Sequence, residues 1–199
     1  MTRTRLALLT GAAVLVLGVL FAATSLRAAA PADPLNPGIP TAPKGPDLSQ
    51  PIHFSHKIHA GTSKGELGMD CLYCHTNVDK SPVANIPNVE TCMNCHKYVK
   101  RRHDQTADSP EIAKLTNFYD GNKTIPWVHV HWLPDHVGFN HKRHVLAGVR
   151  CQTCHGPVQD MTVVHQVVEL KMGFCVTCHK ANRENAAHPA NLDCYTCHK

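Results

Sequence analysis

One five-residue pattern, repeated five times, constrains this 199-residue chain more than any other feature. All ten cysteines fall into C-x-x-C pairs, and a histidine follows every pair: Cys71/Cys74/His75, Cys92/Cys95/His96, Cys151/Cys154/His155, Cys175/Cys178/His179 and Cys194/Cys197/His198. C-x-x-C-H is the attachment signature of c-type haem, in which two thiols bond to the macrocycle and the adjacent imidazole becomes the proximal iron ligand. Histidine occupies 16 of 199 positions, so five chance placements after the pairs have a probability of roughly three in a million. Structural zinc sites use two or four thiolates per metal and give no reason for a histidine beside each second cysteine. Disulfides at this spacing would close loops too small to staple a fold. The expectation is five covalently bound haem c groups with no cysteine left over.

The rest of the composition agrees with haem as the missing core. Hydrophobic residues make up 43% of the chain but aromatic residues only 6%, and much of the apolar content sits in one N-terminal run. The remaining polypeptide is poor in core-forming side chains, so bound macrocycles must supply most of the buried apolar surface. The formal charge of +5 is misleading. Ten haem propionates would bring the holoprotein to about −5 reduced and about 0 oxidised, so nothing argues for nucleic acid as a partner. Lys97, Lys100, Arg101 and Arg102 form the one dense basic run, which reads as a solvated face near propionates or as a dock for an acidic partner.

Along the chain, residues 1–5 read as a cytoplasmic N-terminus and 6–27 as a transmembrane anchor, since Leu6 to Leu26 contains no charge and is long enough to span a bilayer. A cleaved signal peptide is the competing reading, because Ala28-Ala29-Ala30 resembles a cleavage site. Arg3 and Arg5 place the N-terminus inside and the remainder outside, where haem attachment takes place, so the localisation read is a single-pass inner-membrane protein with a periplasmic haem domain. Residues 28–50 form a linker with proline at 31, 34, 37, 40, 43 and 46. That period of three matches the polyproline II helix, either as a solvated linker or as a semi-rigid strut lying on a partner surface. A dihaem module at 51–100, a connector at 101–138 and a trihaem module at 139–199 follow. In the connector, Ser109-Pro110-Glu111 reads as a helix start and Gly121 as its stop. Elsewhere turn residues dominate. The fold class expected is a transmembrane helix plus a mostly irregular, short-helix multihaem domain with a haem-dominated core and little sheet.

The two modules share a pattern. Phe54-Ser55-His56-Lys57-Ile58-His59 precedes Gly68-Met69-Asp70-Cys71, and Phe139-Asn140-His141-Lys142-Arg143-His144 precedes Gly148-Val149-Arg150-Cys151, giving F-x-H-K-x-H…G-x-x-C twice. With five proximal histidines in the motifs, eleven remain for five distal positions. The paired histidines resemble those of class III, c3/c7-like multihaem cytochromes. That resemblance implies that His56 serves the Cys71/Cys74 haem and His141 the Cys151/Cys154 haem, while His59 and His144 cross to other haems. For the fifth position, Trp127 to Trp132 reads as extended, so His129 and His131 face opposite sides. His131 is the choice, with Met172 the alternative distal ligand and His165 a weaker one. His53, His103, His136 and His188 read as exposed or hydrogen-bonded histidines.

Taken with the anchor, the linker and the segments IPWVHVHWLPDHVGFNHKRHVLAGVRCQTCHGPV and LKMGFCVTCHK, the order of two plus three motifs resembles the pentahaem cytochrome c subunits of alternative complex III. The resemblance implies a membrane quinol:electron-acceptor oxidoreductase. Its partners would be an iron–sulfur subunit, polytopic quinol-binding subunits, a monohaem cytochrome and a periplasmic electron acceptor protein. If every iron has two protein ligands, no position is open to a substrate, and electron transfer is the function expected, with no catalytic residues. Two rivals come from other classes. A multihaem reductase needs one open haem, and a single-helix quinol dehydrogenase needs polar groups that a lone apolar helix does not offer.

Overall fold

Every apolar run downstream of the linker is cut short by glycine, proline or a haem motif, so only short helices can form. The computed structural model describes residues 33–45 and 48–199; the anchor expected at 6–27 and part of the proline-rich linker lie outside them. Eight α-helices are found among the described residues: α1 (His56–Ala60), α2 (Cys71–Cys74), α3 (Val89–His96), α4 (Pro110–Asp120), α5 (His141–Leu146), α6 (Cys151–His155), α7 (Met172–Ala181) and α8 (Cys194–Cys197). A 3-10 turn, Val158–Asp160, follows α6. No sheet forms among these residues, only an isolated antiparallel bridge between Val137 and His198. None of the described helices is long and apolar enough to cross a membrane.

Side chains with local hydrogen-bonding power start most of these helices. Ser55, Asp70, Asn88, Ser109, Asn140 and Asp193 are N-caps whose side chains accept a first-turn N–H of α1, α2, α3, α4, α5 and α8. Pro110 opens α4 and Gly121 closes it, which fixes the connector helix at both ends. The glycines of the repeated G-x-x-C stretch have a conformational reason: Gly68 has φ +61° and Gly148 φ +85°, a region side-chain-bearing residues avoid.

Two small apolar clusters hold the described chain. In the first, Ile52, Val89, Met93, Leu115 and Ile125 are buried, with Cys92, Phe118, Tyr119 and Trp127 against them, so α4 packs on α3 over the second motif. In the second, Met161, Val167 and Val168 are buried under Val158, Val164, Leu170 and Phe174 of the α7 region. Eight buried apolar side chains are few for a unit spanning Asp33–Lys199. Large apolar groups instead stay exposed beside the motifs: Leu72 and Tyr73 in α2, Tyr98 after α3, Leu146 at the end of α5 and Tyr195 in α8. Bound macrocycles would cover this surface, as the core-poor composition requires.

The halves carrying α1 and α5 dock reciprocally. Lys57 in α1 donates its backbone N–H to the Met161 carbonyl at 3.0 Å, just past the 3-10 turn on which α1 packs. His141 and Lys142 at the start of α5 donate theirs to Pro82 and Ser81 at 3.0 and 3.3 Å. Each helix start thus finds acceptors for its free N–H groups in the other half. Residues 33–45 turn at Asp33–Asn36 and then lie along the α6 and α7 region of their own chain. Asn36 Oδ1 accepts from Arg150 N at 2.8 Å and Thr153 Oγ1 at 2.9 Å, Asn182 Nδ2 donates to Pro34 O at 2.9 Å, and Lys44 N donates to Gln166 O at 2.7 Å.

Candidate haem sites

Each C-x-x-C-H run folds as one short helix or the end of one, which places both cysteines and the histidine on a single turn. The proximal histidines His75, His96 and His179 donate from Nδ1 to the carbonyls of Asn85, Val99 and Asn191 at 2.7, 2.9 and 2.6 Å. A carbonyl can only accept, so Nδ1 carries the proton and Nε2 keeps the lone pair that a metal requires. His59, His141 and His144 are fixed in the same way by Ser55, Pro82 and Asn140 carbonyls at 2.9, 3.2 and 2.8 Å. Six of the histidines read as ligands from the sequence are therefore held in the iron-binding tautomer by the backbone alone.

The repeat read from the sequence is a repeat in space. Phe54 stands edge-on to His56 at 4.9 Å and stacks on His59 at 4.4 Å. Phe139 does the same to His141 at 4.7 Å and His144 at 4.5 Å. One phenyl ring thus orients both imidazoles of each pair. The second members reach away from their own motif: His59 lies 6.1 Å from His96, and His144 lies 6.1 Å from His179, ring centre to ring centre. His141 lies parallel to His155 at 6.4 Å and 8°. An iron bound by two imidazoles at about 2 Å per bond separates the ring centres by about 6 Å, so these pairs have the span a haem iron needs.

His56 makes no hydrogen bond, and its Nδ1 is buried without a partner. Burial, then the neighbouring His75 and His59, pull its pKa down to about 4. His155 is pulled down to about 3 by burial, then by His131, His141 and His75. Burial likewise lowers His59, His131 and His144. All five are neutral at pH 7, the form in which imidazole binds a metal. Partly buried and neutral, these rings fit haem iron in chemistry.

The remaining histidines and Met172 fall elsewhere. His131 lies 4.4 Å from the His155 ring at 81°, with its Nε2 3.4 Å from His155 Nδ1. His136, given no role by the sequence reading, stacks on His198 at 5.7 Å and 14°. Met172 opens α7 and is 66% exposed. His165 lines a surface hollow of about 420 Å³ with Thr41, Pro157 and Met161. His53, His103, His129 and His188 are exposed. The basic run is largely engaged locally: Arg101 pairs with Asp108, Arg102 with Asp104, and Lys97 lies 5.1 Å over the Tyr119 ring.

Cysteines of different motifs lie near enough to affect one another. Burial raises the thiols of Cys74, Cys92, Cys154 (to about 11) and Cys175; neighbouring thiolates raise them further, Cys71 and Cys95 acting on Cys74, Cys74 on Cys92, Cys178 on Cys154, and Cys197 on Cys175. Across the two halves Cys71 and Cys151 are neighbours, and their interaction raises the Cys71 thiol and lowers that of Cys151.

A family profile described as cytochrome c7 and related cytochrome c matches residues 137–199, the segment holding α5 to α8. The chain is also 28% identical over 171 residues to the protein named menaquinone reductase, multiheme cytochrome c subunit, of Nitratidesulfovibrio vulgaris, covering 75% of this chain and 77% of that one. Motifs, geometry and likeness converge on covalently attached haem c at several sites.

Proposed function

From the premise that the chain is a multihaem c-type cytochrome acting in electron transfer, we propose that it carries five haems and is the electron-transfer subunit of a membrane complex of the alternative complex III kind. The carrying observation is that the proximal histidines have a second imidazole beside them. A bound haem supplies a one-electron couple whose potential follows its axial ligands and its burial. The chain does the rest. Its paired histidines would hold an iron from two sides, backbone carbonyls lock the tautomers of six of these rings, and neighbouring motifs would let electrons pass between haems. An iron held in this way would leave no position for a substrate, so in this reading quinol chemistry belongs to partner subunits.

In this reading residues 6–27 anchor the chain in the inner membrane and hold the haem domain on the periplasmic side, as the 21 uncharged residues from Leu6 to Leu26 support. Its partners are an iron–sulfur subunit, polytopic quinol-binding subunits, a monohaem cytochrome and a periplasmic acceptor protein. A second reading, in which electrons run toward quinone, is favoured by the name of the relative, a menaquinone reductase subunit. The complex purified from membranes through a tag on this chain distinguishes them. Added quinol should reduce its haems, while the chain purified alone should not react with quinol. Rapid haem oxidation by added quinone in the reduced complex, with no reduction by quinol, supports the second reading. Stoichiometric quinol oxidation by the isolated chain would overturn both.

A further inference from the structure

The C-terminal motif needs a distal ligand, and two histidines of the stretch before α5 compete for the role. His131, closer than His129 to Leu133-Pro134, is the choice from sequence. Its position argues against ligation at the haem it approaches. With a ring-centre separation of 4.4 Å from His155 and a perpendicular ring, there is no room for an iron between the two. The approach is also to the wrong atom. His131 Nε2 faces Nδ1 of His155 at 3.4 Å, on the edge of the ring away from the Nε2 that a proximal histidine uses. The ring of His141, near-parallel to that of His155 at 6.4 Å, has the separation that an iron bound by both would give.

His136 has the opposite geometry. Its ring is 5.7 Å from that of His198 and within 14° of parallel, close to the span of the His59–His96 and His144–His179 pairs at 6.1 Å. The backbone fixes this placement from both sides. Val137 bridges His198, Gly138 N donates to Cys197 O at 2.7 Å, and Lys199 N donates to His136 O at 3.2 Å. The last motif of the chain is thereby laced to residues 136–138, and His136 is the imidazole this lacing delivers to His198. We propose that His136 is the distal iron ligand of the Cys194/Cys197 haem, and that His131 is a positioning residue that accepts a hydrogen bond from His155.

The second half explains a difference among the proximal histidines. His75, His96 and His179 each donate Nδ1–H to a backbone carbonyl, whereas His155 has a neutral imidazole in that place. An acceptor there keeps the His155 tautomer and makes the ligand more basic, which favours the oxidised iron. His131 thus tunes the potential of the Cys151/Cys154 haem without touching its metal.

The proposal rests on the five-haem reading, and the test separates the two. Intact mass of the denatured holoprotein reports haem number; a mature protein lacking haem at Cys194/Cys197 would overturn both. In a five-haem protein, His136→Ala should keep all five covalent haems while one turns high-spin, and the reduced protein should go from binding no carbon monoxide to binding one per chain. Should His136→Ala fail to mature, His136→Met should stay low-spin with one haem raised in potential, as a thioether replacing imidazole requires. His131→Ala should leave every haem low-spin and closed to carbon monoxide but raise the potential of one, and His131→Gln, which restores an acceptor, should return it. An unchanged spectrum and potential in both His136 variants, or carbon monoxide binding by His131→Ala, would overturn the assignment.

Discussion

Helices α1 and α5 carry the same F-x-H-K-x-H pattern, and their second histidines are held in the same way. Phe54 and Phe139 stack on His59 and His144, and each of these rings donates to the carbonyl four residues back, Ser55 or Asn140. The first histidines differ. His141 donates Nδ1–H to Pro82 of the other half, while His56 has its Nδ1 buried with no partner. The second histidine of each pair is therefore a local construction and the first depends on what the rest of the chain brings to it. The α5 half is also the one tied down from outside, through Asn36 and through the bridge to the C-terminal motif.

Replacing the first histidines should expose this difference most strongly. His56→Ala and His141→Ala should each open one iron to carbon monoxide, but His141→Ala also breaks a contact between the halves and should destabilise the holoprotein by about 1–2 kcal/mol more, read from paired thermal melts. Equal losses would break the comparison. Next is the residue after each first motif, Thr76 in one half and Gly156 in the other. A Cβ on Gly156 would lie 2.8 Å from Val167 Cγ2 and 2.9 Å from Pro40 O, at φ +73°. Gly156→Ala should therefore cost about 3 kcal/mol. Thr76→Ala loses only one long hydrogen bond from Asn85 and should cost under about 1 kcal/mol.

Asn36 sharpens the contrast further. Its amide accepts from Arg150 N and Thr153 Oγ1 and donates to Gly148 O at 3.3 Å, with no counterpart in the α1 half among the described residues. Asn36→Ala should cost about 2 kcal/mol and speed proteolysis within residues 33–45, with melting and limited digestion as the checks. The smallest effects should be the symmetric ones. Ser55→Ala and Asn140→Ala each remove one N-cap and should each cost about 1 kcal/mol by thermal melting, which tests that the local parts of the two halves are equivalent.

What could be read in the sequence was what is local. The motifs, the two histidine pairs with their phenylalanines, the paired glycines and the ends of α4 are short-range patterns with a mechanical reason for each residue. The relation between His131 and His155 and that between His136 and His198 are not short-range. They depend on backbone pairing between residues 136–138 and 197–199, across some sixty positions, and no periodicity near His136 marks it out. The proline repeat misled in a similar way. Its spacing describes an extended backbone but not the surface it lies on, which for residues 33–45 is this chain's own α6 and α7 region, reached through Asn36 and Asn182.

In the proposed protein paired imidazoles would close every iron, and one measurement tests this directly. The untreated holoprotein, purified with five haems, is reduced and titrated with carbon monoxide, and its oxidised form is examined by electron paramagnetic resonance. Wholly low-spin signals and no carbon monoxide uptake are the result predicted. Stoichiometric binding at one haem, matched by a high-spin signal in the oxidised protein, would contradict it and make that haem a site of substrate chemistry.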